Sequence, residues 1–449
     1  MSLLIKGGRV INPATNTDEV LDILIDTESK TITKVEKDIT EENARVIDAT
    51  DKYVFPGFID MHVHFRDPGQ THKGDINTES HAAARGGYTT VCAMPNTAPV
   101  VDNKEQFCYV RDKAKAVGLC NVLQVGSITK GMQGKELSDI YGMASEGMIC
   151  ISEDGKSVMD SGLLREAMKI AKEKNLSVLS HCEDINLVQG GVMNAGKKSE
   201  ELGINGITNA VENIIEARDI MLAEETGARL HLCHCSTKES VDLIREGKEK
   251  GIVVSGEVCP HHFALTEDDI PSKDDANFKM NPPLRSKEDV EALKKGLKDG
   301  ILEVISTDHA PHSAEEKAGD FNQAPFGIVG LETAASLTYS ELVLGGYLSP
   351  MQMAEKMSYN PAKILGIDKG DISVGKIADI TIFDPDREYE VKAEELAGKS
   401  KNTPFIGWIL TGQVTTTLMG GKITYELHEK EEAKGLKKVI QNITDKFKK

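Results

Sequence analysis

The sequence predicts an α/β fold, a TIM-type (β/α)8 barrel carrying a small β domain built from both terminal segments. Three observations predict it. Eight β-branched runs alternate with helix-length amphipathic segments through the middle of the chain. Short alternating stretches broken by turn signals occupy both ends. No G-x-G-x-x-G follows the first central run, which removes the main support for a doubly wound sheet, the competing fold.

Taken in order, Leu3 to about Val54 contains LLIKGGRVI and VLDILIDT, broken by Asn-Pro and Thr-Asn signals, and reads as β-hairpins that need no helix. The candidate barrel strands are VFPGFIDMHVHF, YTTVCAMP, CNVLQVGSI, GMICISED, LSVLSHCED, ARLHLCHCS, VVSGEVCPHHF and LEVISTDHAPH. Segments such as SGLLREAMKIAKEKN and KESVDLIREGKEKG, with apolar residues three and four apart, supply the helices between them. A second β-rich block, ADITIFDP and then GWILTGQVTTTLMGGKITYEL, runs from Ala378 to about Leu427. The expected units are residues 1–54 with 367–427 as the β domain, 55–366 as the barrel and 428–449 as a charged tail. That tail reads as a solvated or frayed terminal helix, with partner binding the lesser alternative.

With 449 residues and 39% hydrophobic content, the chain can bury a barrel-sized core. A net charge of −18 and a pI near 5.2 leave no broad cationic surface for nucleic acid or anionic lipid. Polar residues interrupt every long apolar run, and MSLLIKGGRV lacks the pattern of a secretory signal, so a cytoplasmic enzyme is expected. The eight cysteines show no C-x-x-C spacing and read as buried small hydrophobes.

The chemistry sits at the C-terminal ends of the predicted strands, where barrel active sites are built. His62 and His64, one residue apart on a strand, point to one face and suit chelation of a single cation; Asp60 shares their parity. A lone H-x-H arises by chance often enough that it carries little alone. SHCED, HLCHCS and STDHAPH add His181, His234 and Asp308, a donor set that suits zinc or a related divalent ion. Parity places His231 on the opposite face from His234 and marks it as structural; Cys182, Cys233 and Cys235 face away from their neighbouring histidines. Asp154 in ISEDG offers a bridging carboxylate for two ions, with Glu153 directed elsewhere. Paired cations sharing a water bring its pKa to around 7, which is amide-hydrolysis chemistry, and Asp308 is the candidate proton carrier. Arg66 is placed for charge-assisted bonds to an anion. Asn96, Asn281 and His312 fall on strand ends or loops, where ordinary turn chemistry is the alternative.

The motifs GFIDMHVHFRDPG, MPNTAP, SEDG, SHCED, CHCSTKES, KMNPPLR and STDHAPHSAEEK, in this order, resemble those of dihydroorotases of the amidohydrolase superfamily, from the N-terminal strands to about residue 427. The resemblance implies a binuclear zinc site at the mouth of a distorted barrel, and a β-sandwich domain composed of both termini. It implies His62, His64, Asp154, His181, His234 and Asp308 as metal ligands, with Asp308 as general acid and base. It further implies Arg66, Asn96 and His312 as contacts of a substrate carboxylate, and Asn281 with the Pro325-Phe326-Gly327 loop as contacts of its ring. The reaction implied is reversible cyclisation of N-carbamoyl-L-aspartate to L-dihydroorotate in pyrimidine biosynthesis. A homodimer and association with aspartate carbamoyltransferase are also family traits. Dihydropyrimidinases, allantoinases and another dihydroorotase class resemble one another in bridging with a carboxylated lysine, whereas the matching residue here is Asp154; Lys156 is out of register. The rivals are another cyclic amidohydrolase, which gives Arg66 no anion, and an inactive scaffold, which has no reason to keep all six ligands.

Overall fold

The computed structural model describes residues 2–428. The charged tail predicted after Leu427 lies outside the described residues, apart from His428. Among the described residues no helix is long and apolar enough to cross a membrane.

The two chain ends meet in one eight-stranded sheet. Its order is Lys422–Glu426, Ile409–Met419, Ile380–Glu390, Tyr53–Pro56, Ser2–Asn12, Thr17–Asp26 and Thr31–Glu36, with Arg45–Asp48 paired to the early half of Ser2–Asn12. A bulge between Ile5 and Gly8 divides that strand, so its halves carry different parallel neighbours, Arg45–Asp48 and Tyr53–Pro56. Alternation puts Leu3, Ile5, Ile23, Ile25, Ile380 and Ile382 into one apolar core drawn from both ends.

The segment read as a single first barrel strand is two. Tyr53–Pro56 belongs to the terminal sheet, and the barrel begins at Phe58–Val63. Gly57 makes the crossing where a Cβ would sit 2.3 Å from the Thr89 side chain, so only glycine passes.

Around the barrel the neighbouring strands pair in parallel: Phe58–Val63, Tyr88–Ala93, Asn121–Gln124 with its continuation Gly126–Ser127, Cys150–Ser152, Ser177–Ser180, Arg229–Leu232, Val254–Val258 and Val304–Ile305. The barrel closes where Val63 bridges His309 and the His64 N–H donates to the His309 carbonyl at 2.8 Å. The helices form as the periodicity predicts. Ser161–Lys174 is capped by Asp160, buries Leu164, Ala167, Met168 and Ala171 on one stripe, and stops at left-handed Asn175. The strands are shorter than their apolar runs, most ending one or two residues before the polar groups of interest.

Candidate metal centre and anion-binding cavity

Six side chains from five strand ends converge at the C-terminal rim. His62 leaves the first strand before its last residue, and His64 just after it. Asp154 follows Cys150–Ser152, His181 follows Ser177–Ser180, His234 lies two residues past Leu232, and Asp308 lies three past Ile305. His234 and Asp308 have φ of 38° and 48°, and Arg66 has 60°. That left-handed backbone is uncommon for residues with a Cβ and costs about 1–3 kcal/mol each, so the turns are held by the packing around them.

Asp154, 2% exposed, is the centre. Its Oδ1 lies 3.1 Å from His62 Nε2, 3.4 Å from His181 Nδ1 and 3.7 Å from His234 Nε2, and its Oδ2 lies 3.3 Å from His64 Nε2. Asp308 Oδ1 stands 3.0 Å from His64 Nε2 and 3.5 Å from His62 Nε2. Donor atoms of His62, His64 and Asp154 lie within 4.8 Å of one another, and so do those of Asp154, His181 and His234. One carboxylate thus joins two triads, which is the arrangement a bridging ligand between two ions requires.

Two further observations fit cations to this donor set. His62 Nε2 and Asp154 Oδ1 are buried and lack a hydrogen-bonding partner among the described residues, because their 3.1 Å approach lacks hydrogen-bond alignment. The local charge also favours positive groups. Burial alone would lower His181, but Asp154 and Glu183 outweigh it and push it up to about 10. Burial likewise opposes ionisation of Asp154, yet His62, His181 and His234 hold it well below the usual carboxylate range.

Behind the ligands lies a layer the sequence reading missed. Glu257, wholly buried, accepts from His62 Nδ1 at 2.9 Å, from His231 Nε2 at 3.0 Å and from the His234 N–H at 3.3 Å. Against the cost of burial, these bonds keep it ionised. The signal was a lone carboxylate inside the apolar strand Val254–Val258. His231 is structural as expected, since its Nδ1 bonds Ser255 Oγ at 2.8 Å while its Nε2 serves Glu257. Glu183 was also missed: it meets His181 Nε2 at 3.4 Å and accepts from Asn281 Nδ2 at 2.9 Å. Two-residue spacing from His181 would have found it. Asp60 lies below the site, where its carboxylate accepts the His62 and Thr307 N–H groups and ties the first strand to the eighth.

Above the ligands opens a cavity of about 170 Å³. The ligands other than His62 line it, and so do Arg66, Asn96, Asn281, His312, Phe326 and Gly327; His62 and Pro325 lie outside the lining. Asn96 Oδ1 accepts from His64 Nδ1 at 2.9 Å, so it also fixes that imidazole. Arg66 is 8% exposed; its Nε donates to the Pro311 carbonyl at 3.2 Å, and it forms no ion pair among the described residues. Burial lowers it to about 10, which leaves it charged at neutral pH. His312 Nε2 donates to the Phe326 carbonyl at 2.9 Å, and burial together with Arg66 and Lys73 lowers the ring to about 3, so it is neutral. Gly327, at φ 120°, passes where a Cβ would sit 2.6 Å from the Ala310 Cβ. Asn402, from the C-terminal block, donates to the carbonyls of Ala310 and Gly327 at 3.1 Å each, and nothing in its local sequence signals that.

The residues expected to face away do so in part. Glu153 takes the Thr129 N–H at 2.9 Å, and Lys156 donates to the Met132 carbonyl at 3.2 Å, outside the cavity. Cys233 turns from His234 but approaches His62 and Glu257 from behind. A further grouping, Cys259 with His261 and His262, has three donors and no carboxylate. Burial raises both thiols, so Cys233 and Cys259 are protonated and poor ligands.

Comparison with known proteins decides the family. The amidohydrolase family model matches residues 53–424. The chain belongs to the amidohydrolase family. It is 47% identical over 426 residues to the dihydroorotase of Trichlorobacter lovleyi, covering 95% of this chain and 99% of that protein. The Geobacter metallireducens dihydroorotase is 48% identical over 427 residues, covering 95% and 100%. Among solved structures, the Brevibacillus agri dihydropyrimidinase superposes with a TM-score of 0.83 at 26% identity, covering 95% of each chain. The L-hydantoinase (dihydropyrimidinase) of Arthrobacter aurescens gives 0.83 at 26%, covering 95% of this chain and 96% of that one. Amidohydrolase membership accounts for a barrel plus terminal β sheet, since these neighbours align over 95% of the chain.

Proposed function

We propose that this amidohydrolase catalyses the dihydroorotase reaction, the reversible cyclisation of N-carbamoyl-L-aspartate to L-dihydroorotate in pyrimidine biosynthesis. The observation that carries it is Arg66, a buried charged guanidinium without an ion pair among the described residues, facing the same cavity as five of the six convergent metal donors. A buried cation of this kind calls for an anion, and dihydroorotate brings a carboxylate beside its cyclic amide whereas a neutral hydantoin does not. Relatives at 47–48% identity over nearly the whole chain, named dihydroorotases, support the same reading.

On this reading His62, His64, Asp154, His181, His234 and Asp308 are the residues that would hold the metal, with Asp154 common to both donor triads. Zinc suits imidazole and carboxylate donors, and when bound it supplies Lewis-acid polarisation of a carbonyl and acidification of water. The chain's own groups do the rest. Asp308 has one oxygen engaged by His64 and no hydrogen bond to Oδ2 among the described residues, so Oδ2 takes the ureido proton as nitrogen attacks the side-chain carboxyl carbon, and gives it to the carboxyl oxygen that leaves as water when the carbon–oxygen bond breaks. In hydrolysis water adds to the ring carbonyl carbon, its proton passes to Oδ2, and Oδ2 delivers it to the nitrogen as the carbon–nitrogen bond breaks. Arg66 binds the substrate carboxylate. His312 and Asn96 flank that group, and Asn281 with Phe326 and Gly327 borders the ring. The barrel, residues 58–366, carries the chemistry; residues 1–57 with 367–427 support it, Asn402 among them by holding the carbonyls of Ala310 and Gly327.

The test is turnover of dihydroorotate, allantoin and dihydrouracil by the purified protein, for the native chain and Arg66→Met. We expect dihydroorotate alone to be turned over well, and Arg66→Met to lower kcat/KM about 10- to 100-fold, mainly through KM. Preferential turnover of either neutral substrate overturns the assignment.

A further inference from the structure

Two lysines in the motifs KMNPPLR and STDHAPHSAEEK have no part in the mechanism above. Lys279 is 3% exposed and Lys317 8%, and neither forms an ion pair among the described residues. Each spends its ammonium on backbone carbonyls instead. Lys279 Nζ donates to the carbonyl of Phe321 and, at 2.6 Å, to that of Ala324. Lys317 Nζ donates to the Pro325 carbonyl at 2.9 Å and to the Lys279 carbonyl at 3.2 Å. The Lys279 carbonyl also receives the Gly327 N–H at 3.0 Å, and the Lys279 ammonium lies 4.4 Å from the centroid of the Phe326 ring.

Three carbonyls within 321–325 are therefore satisfied by two cations rather than by a ladder of backbone N–H groups. Burying two ammonium groups without carboxylates is unfavourable. Desolvation lowers Lys279 to about 8 and Lys317 to about 7, the latter also repelled by Lys279. A surface loop held only for stability has cheaper solutions. This segment ends on the cavity wall, where the Phe326 carbonyl accepts from His312 Nε2 and Phe326 and Gly327 face the ligands.

We propose that Lys279 and Lys317 are positioning residues that pin segment 321–327 and, through the Phe326 carbonyl, fix His312 beside Arg66 in the geometry that binds the substrate carboxylate. The substrate part of this rests on the dihydroorotase reading; the pinning of the segment does not.

The test uses Lys279→Met and Lys317→Met in the full chain, each compared with the native protein in two measurements. Steady-state kinetics with dihydroorotate should show KM raised by about 10-fold or more with kcat within about threefold, because ground-state binding is lost while Asp308 is untouched. Backbone hydrogen exchange should quicken about 10-fold or more across 318–327 and stay unchanged in the strand Phe58–Val63. Unchanged KM in both variants overturns the proposal, as does a joint fall of kcat with faster exchange throughout the barrel, which marks general loosening. Should Lys279→Met fail to fold, Lys317→Met alone carries the test. Should the native chain not turn over dihydroorotate, the functional reading fails by itself. Exchange then decides the pinning: acceleration confined to 318–327 sustains it, and no change refutes it.

Discussion

Asp308 is separated from the other carboxylate of the site by its surroundings rather than by its chemistry. Both border the cavity, but Asp154 meets four imidazoles through its two oxygens, while Asp308 meets two through Oδ1 alone. A carboxylate with one oxygen free of such contacts can carry a proton; one with both oxygens engaged is committed to binding. Replacing Asp308 with Asn keeps the size and the contact to His64 but removes the proton acceptor. Turnover of dihydroorotate by Asp308→Asn should fall at least about 100-fold in kcat, read by steady-state assay on metal-replete protein. A variant within a few-fold of native activity would move the proton transfer to another group.

At the scale of strands and turns, the H-x-H motif was legible because His62 and His64 keep the alternation that points both rings one way. His234 was legible for a reason that does not hold. Parity assumes an extended strand through HLCHCS, but the strand ends at Leu232 and a left-handed turn at φ 38° sets the imidazole. The first-strand motif was read as one element because the apolar residues of VFPGFIDMHVHF continue across Pro56-Gly57, and apolar content does not reveal which sheet a strand joins. Glu257 escaped for the complementary reason: its role depends on the neighbouring strand bringing His231 to it and on the closed barrel bringing His62 from the first strand, beyond Val304–Ile305. Its carboxylate fixes the His62 ring and makes it a stronger donor. Glu257→Gln should weaken metal binding about 10- to 100-fold in competition with a chromophoric chelator, with the barrel still folded. Unchanged affinity would reduce Glu257 to packing.

Across the whole molecule, the barrel and the terminal sheet do different things. The sheet gathers both chain ends around its own apolar core, and the barrel closes by joining its first strand to its eighth at His64 and His309. That closure sets Asp308 beside His64, residues 244 apart in sequence, so the site exists only when the cylinder is complete. The alternation of runs made the cylinder predictable, while its circumference had to be closed in space before Lys279 and Lys317 within the motifs, or Asn402 outside them, could be given a task. The central claim is that these six groups bind cations and that the bound cations make the chain a dihydroorotase. It is tested most directly by stripping the metal and titrating zinc back, with metal content and dihydroorotate turnover measured on the same samples. Activity should vanish on stripping, return in proportion to zinc bound and level off at two ions per chain, one for each of the two proposed triads that share Asp154. Full turnover by metal-free protein, or zinc that binds without restoring turnover, would contradict it.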